Sequence, residues 1–85
     1  MKQFTYTVTD ALGIHARPAG LLVKKAAGFQ SKVTIEAPNG AADAKRLMAV
    51  MRLAVKQGMA VTVSCEGEDE EQACAAIEQF MKETL

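Results

Sequence analysis

The only histidine of this 85-residue chain, His15, lies in the run Gly13-Ile14-His15-Ala16-Arg17-Pro18-Ala19-Gly20. Pro18 is a residue of first helical turns, so a helix is expected to begin just after His15. A helix N-terminus presents unpaired N–H groups and a partial positive charge, which makes it a ready site for an anion. Pro18 has no N–H to give, and this leaves the backbone of Ala16 and Arg17 as the nearest phosphate-binding donors beside His15. The same partial charge disfavours an imidazolium, and the neutral ring is the form that can attack phosphorus. The Arg17 guanidinium is placed to bridge phosphoryl oxygens. Phosphoryl transfer asks mainly for positioning and charge stabilisation, and these residues supply both, with His15 and Arg17 as the catalytic pair. The same residues also suit a histidine that merely caps or lines a loop, the commoner fate of a lone histidine. No second base, paired carboxylates, nucleophilic serine motif or phosphate-cradling glycine loop accompanies them, so the chemistry is that of a relay rather than of a self-contained enzyme.

The elements that must position this loop can be read along the chain. Residues 3–9 alternate, with Phe4, Tyr6 and Val8 on one side and threonines on the other, as in a half-buried strand. Asp10-Ala11-Leu12-Gly13 breaks it. A helix follows over residues 16–27, with Gly28 as its stop, Ala19, Leu22, Val23 and Ala26 as its inner stripe, and Arg17, Gly20, Leu21 and Lys24 on its outer face. Val33, Ile35 and Ala37 mark a second strand, and Asn39-Gly40 predicts a hairpin turn into a short third one near residues 41–43. Residues 45–56 read as a second helix closed by Gly58. Val61, Val63 and Cys65 alternate in a fourth strand. A last helix has Asp69 as its expected N-cap, Gln72 three residues on, and Ala73, Ile77 and Phe80 facing inward. The order β-α-β-β-α-β-α is that of an α+β domain, and taken alone it is equally compatible with a ferredoxin-like fold carrying an extra helix.

Length and composition bound the reading. Eighty-five residues predict a single domain over 1–85, and 49% apolar with 24% charged residues is the profile of an ordinary globule. No apolar stretch is long enough for a transmembrane helix, and the first residues lack the apolar core of a signal peptide, so a cytoplasmic protein without membrane insertion is expected. Cys65 and Cys74 are too few and wrongly spaced for a disulfide scaffold, and with one histidine they make no convincing zinc site. No metal or cofactor is expected, and the thiols read as small buried hydrophobes. Net charge is zero but unevenly spread. Residues 1–60 hold nine Lys/Arg against three Asp/Glu, whereas residues 61–85 hold one lysine against seven acids. A basic face of this kind attracts acidic partners or phosphate, although a solvated charged surface explains it as well.

The run from Gly13 to Ala19, together with residues 45–58 and Glu66-Gly67-Glu68-Asp69-Glu70, closely resembles the histidine-containing phosphocarrier family, HPr, of the bacterial phosphoenolpyruvate-dependent sugar phosphotransferase system, and the likeness covers the whole chain. The resemblance implies an open-faced β-sandwich, with a four-stranded antiparallel sheet in the order 1-4-2-3 and three helices on one face. It implies that His15 accepts a phosphoryl group on Nδ1 from Enzyme I and passes it to the A-type domains of sugar permeases. Gram-positive members carry a regulatory serine at the start of the second helix. This chain has Arg46 there, so no regulatory serine is expected. Position 12, often polar in the family, is Leu12.

The second helix has more apolar residues than one core stripe uses. Leu47, Val50 and Ala54 can face inward, while Met48, Met51 and Val55 make a further row beside Arg52. Methionine repacks at low cost, which suits a protein that docks several partners, but the same residues could fill gaps under the sheet. In the resembled family the positions of Leu47, Met48 and Met51 contact partners. Gly20, Leu21, Lys24 and Gln57 would extend that partner-binding surface. Lys24, Lys45 and Arg52 would complement acidic partners and speed encounter. A monomer is expected. An alternative function is that of a regulatory paralogue in a nitrogen-related or kinase-linked phosphorelay, although His15 argues against a form that has lost the carrier role. A nucleic-acid-binding domain would use the basic half, but Phe4, Tyr6, Phe29 and Phe80 are mostly inward-facing and there is no Trp for base stacking, so no nucleic acid is expected as a partner.

Overall fold

A computed structural model describes residues 1–85. The elements are β1 (Lys2–Thr7), α1 (Ala16–Ala27), β2 (Lys32–Ala37), β3 (Gly40–Asp43), α2 (Leu47–Arg52), β4 (Ala60–Glu66) and α3 (Glu70–Thr84). The strands form one sheet in the order β1-β4-β2-β3, and every pairing is antiparallel. This is the α+β architecture that the family resemblance implies, not a ferredoxin-like one.

Register follows from the alternation. Phe4 lies opposite Val63, Val63 opposite Ile35, and Ile35 opposite Ala42, so one row of apolar side chains crosses all four strands. Val33, Ile35, Val61, Val63 and Cys65 are buried on this face, and the next row, Thr5, Thr62 and Glu36, points to the other, open face. A one-residue slip would turn all the apolar side chains to solvent, which is what holds the register. The helices cover the apolar face with Leu22 and Ala26 from α1, Val50 from α2, and Ala73, Ile77 and Met81 from α3. Each large apolar side chain so buried is worth about 1.5–3 kcal/mol.

Several details differ from the expectations of pattern alone. The β2–β3 loop is Pro38-Asn39, with Ala37 paired to Gly40, so the turn sits one residue earlier than Asn39-Gly40. Proline has no N–H for a ladder and is better spent in the turn. The second helix stops at Arg52 rather than continuing to residue 56. Ala54 adopts a left-handed conformation (φ 49°), which redirects the chain and buries Leu53 and Val55. Ala54 is therefore exposed rather than inward, and Leu47 is 40% exposed. In α3, Ala73 and Ile77 are buried as expected, but the third buried residue is Met81, with Phe80 only half-buried at the margin of the core.

Asp69 stands at the N-cap of α3 but makes no side-chain cap bond. Its carboxylate instead accepts the Gln30 N–H at 2.8 Å, the Ser31 N–H at 2.9 Å and the Ser31 hydroxyl at 2.5 Å. Ser31 is the one buried polar side chain, and this arrangement satisfies it. The bond from the Ser31 hydroxyl, followed by that from Gln30, holds the Asp69 carboxyl below the ordinary aspartate value.

Candidate functional site

His15 is the N-cap residue of α1, in extended conformation, half-buried, with no side-chain cap bond. Its carbonyl accepts the Ala19 N–H at 2.9 Å, the first helical bond. Ala16 and Arg17 are the first two helical residues, so their N–H groups have no acceptor within the helix. The first turn holds no acid that would compete for them or oppose an anion. Pro18 is buried and anchors the turn, while Arg17 is exposed and makes no salt bridge. His15, the two free donors and an unengaged guanidinium thus share one helix entrance.

The loop that carries His15 is fixed from several sides. Thr9 and Asp10 donate their N–H groups to the Leu85 carbonyl at 2.6 and 2.7 Å, and the Thr9 hydroxyl donates to the same oxygen at 2.7 Å. Leu12 donates to the Asp10 carboxylate at 2.8 Å, and the Gly13 N–H to the Asp10 carbonyl at 2.9 Å. The Ile14 N–H then reaches the Val55 carbonyl at 3.0 Å. This contact explains Gly13. It has φ 68°, and a Cβ there would strike the Val55 carbonyl oxygen and come within 2.7 Å of Lys56 Cα. It also accounts for the early end of α2, since the turn at Ala54 presents the Val55 carbonyl to the loop.

The residues expected to bind partners all reach the surface, although not all in the expected way. Gly20 is half-buried, and Leu21 and Lys24 are exposed along α1. Leu47, Met48 and Met51 are exposed on α2, Met48 the most at 64%. The two helices pack against each other. The Met48–Met51 row therefore does not fill the core, a task that falls to Val50, Leu53 and Val55. Gln57 is exposed, but its amide nitrogen donates to the Thr9 carbonyl at 3.0 Å, so it also braces the loop before His15. Lys45 is not a free surface cation, because its ammonium donates to the Phe29 carbonyl at 2.8 Å beyond the end of α1. Arg46 is the N-cap of α2 rather than a first-turn residue, is exposed, and lies 4.0 Å from the Asp43 carboxylate. Leu12 is exposed beside the site. Burial, followed by the neighbouring Cys74 thiol, pushes the Cys65 thiol up to about 11, and burial raises that of Cys74 too, which disfavours the reactive thiolate at both.

A family model described as "PTS HPr component phosphorylation site" matches residues 2–83. The chain belongs to the HPr family. It is 42% identical to the phosphocarrier protein HPr of Mycoplasma capricolum subsp. capricolum over 84 residues, covering 99% of this chain and 94% of that one. It is 47% identical to the phosphocarrier protein HPr of Lysinibacillus sphaericus over 83 residues, covering 98% and 94%. A solved structure of the histidine-containing phosphocarrier protein from Mycoplasma superposes with a TM-score of 0.95 at 41% identity, over 98% of this chain and 94% of that one. The HPr resemblance read from the Gly13–Ala19 run is thereby upheld at family level. No helix of the chain is long and apolar enough to cross a membrane.

Proposed function

We propose that this HPr-family chain is a single-domain cytoplasmic phosphocarrier that accepts a phosphoryl group on His15 from Enzyme I and passes it to the A-type domains of sugar permeases. The observation that carries the reading is the helix entrance itself, where His15 sits beside two unbonded N–H groups and an arginine with no other partner. In the forward step a neutral imidazole nitrogen attacks phosphorus, the N–P bond forms, and the bond to the donor breaks with its electron pair returning to the donor. The Ala16 and Arg17 N–H groups and the guanidinium face the charge that gathers on the phosphoryl oxygens. The second transfer reverses these events toward an acceptor. Leu21, Leu47, Met48 and Met51 supply the apolar contact, with Lys24 and Arg52 steering acidic partners. The chain acts as a monomer in this scheme. With Arg46 in the regulatory position, there is no hydroxyl there for a serine kinase.

The test is incubation with phosphoenolpyruvate and Enzyme I. One acid-labile, base-stable phosphate on His15 is expected, and His15→Ala should remain folded and unlabelled. Label on another residue, or label retained by the variant, would overturn the assignment.

A further inference from the structure

Away from the His15 loop, residues of α1, of the turn that follows it and of α3 line a groove of about 420 Å³, formed by Leu21, Lys24, Lys25, Gly28, Phe29 and Phe80. Phe29 and Phe80 are only half-buried, resting on the core while leaving part of their surface open. Lys24 and Lys25 are exposed, and no carboxylate lines the groove. Residues 16–27 carry three cations and no anion, and the Lys45 ammonium adds a further positive charge at the Phe29 carbonyl. Two lysines in a last helical turn complement the helix dipole, but that does not account for the apolar gap between them and Phe80.

We propose that this groove docks an acidic segment of a protein partner that presents one large apolar side chain. The apolar anchor fills the space between Phe29 and Phe80, and carboxylates on either side meet Lys24 and Lys25. This combination of one desolvated anchor and a charged rim is what concentrates binding energy in a small contact. The site adjoins the face assigned to phosphoryl exchange through Leu21 and Lys24, but its binding does not require transfer.

The experiment is an NMR titration of the full chain with a short synthetic peptide in which aspartates and glutamates flank a single phenylalanine. Saturable shifts are expected at Lys25, Gly28, Phe29 and Phe80. They should be lost when the peptide's phenylalanine becomes alanine or its acids become lysines. Lys25→Glu, at an exposed position that does not endanger folding, should weaken binding about three- to tenfold, and high salt should weaken it in the same direction. His15→Ala should bind like the parent, which separates this site from the carrier role. The proposal is overturned by the absence of shifts at millimolar peptide, by equal shifts with the lysine peptide, or by shifts confined to residues around His15 and Met48. Concentration-dependent shifts at the groove without peptide would assign it to a second copy of the chain and overturn it as well.

Discussion

Replacing Gly13 by alanine tests how the His15 loop is held. The new Cβ meets the Val55 carbonyl oxygen and lies 2.7 Å from Lys56 Cα, both backbone atoms that cannot swing aside. A left-handed φ of 68° costs an alanine about 1–2 kcal/mol. Pushing the loop off the 55–56 backbone forfeits the bond from Ile14 to Val55, about 1 kcal/mol. Residual crowding adds about 1 kcal/mol, and the lower entropy of the unfolded alanine chain returns about 0.5–1 kcal/mol. The expected loss is about 2–3.5 kcal/mol, or about 8–28 °C in Tm for a domain of this size. Gly20→Ala is the matched control. Nothing lies within 4 Å of a Cβ there, and the residue is inside α1, so the variant should gain about 0.5–1 kcal/mol. Urea and thermal unfolding followed by circular dichroism measure both. If Gly13→Ala lies within about 0.5 kcal/mol of the parent, or if Gly20→Ala is equally damaging, the close approach does not hold the loop.

Arg17→Ala should slow phosphoryl transfer about 10²–10³-fold while His15 can still be labelled, and unchanged rapid-quench kinetics in both directions would remove Arg17 from the step. Met48→Asp should leave thermal stability near that of the parent but weaken Enzyme I binding at least tenfold, because a charge in a desolvated contact is costly; calorimetric titration showing normal affinity would make Met48 a bystander. Asp69 has its pKa lowered on folding, chiefly by the Ser31 hydroxyl, so its contribution is present above the unfolded aspartate pKa of about 4 and lost as pH falls through the lower folded value. The Tm gap between parent and Asp69→Asn should therefore narrow as pH is taken from neutrality toward 2, and a gap independent of pH would contradict the charged-acceptor account. Ala54→Gly should be neutral or stabilising by up to about 1 kcal/mol, as relief of the left-handed strain offsets glycine's entropy, and a larger loss in denaturant melts would show that the Ala54 methyl packs.

Where one physical rule acted alone, pattern and structure coincide. Residues 16–27 combine a proline start, a single apolar stripe and a glycine stop, and α1 has those bounds. The alternation of residues 61–65 becomes β4 with the expected residues inside. Agreement fails where tertiary contact overrides local preference. Apolar residues continue past Arg52 with helical spacing, yet the Val55 carbonyl is claimed by Ile14, from the far side of α1, β2, β3 and α2 in the sequence, and no local signal reports that claim. The spacing of Asp69 and Gln72 suggests a capping pair, but Gln30 and Ser31, distant in sequence and brought alongside by the pairing of β2 with β4, compete for the carboxylate. Lys45 looks like a surface charge because nothing nearby in sequence shows that the Phe29 carbonyl needs a donor. The site itself was more legible, since His15, Ala16, Arg17 and Pro18 are consecutive and a helix entrance is a local object. The α1–α3 groove is not, because Phe29 and Phe80 come to line one space only through tertiary packing.

The exposure of Arg17 gives it two different strengths. On the free chain its guanidinium lies in water, where a pair with a phosphoryl oxygen is worth only about 0–1 kcal/mol. When a partner covers the helix entrance, water leaves, the local dielectric falls, and the same pair strengthens several-fold. In the proposed role the arginine would thus favour the phosphoryl group in flight far more than the group at rest. A deep pocket would stabilise the resting phosphohistidine and turn each exchange into an uphill release. In the proposed role an open entrance would leave it little stabilised, so donor and acceptor could trade the group near balance, and the direction of flow would be set by which partner is charged rather than by the carrier.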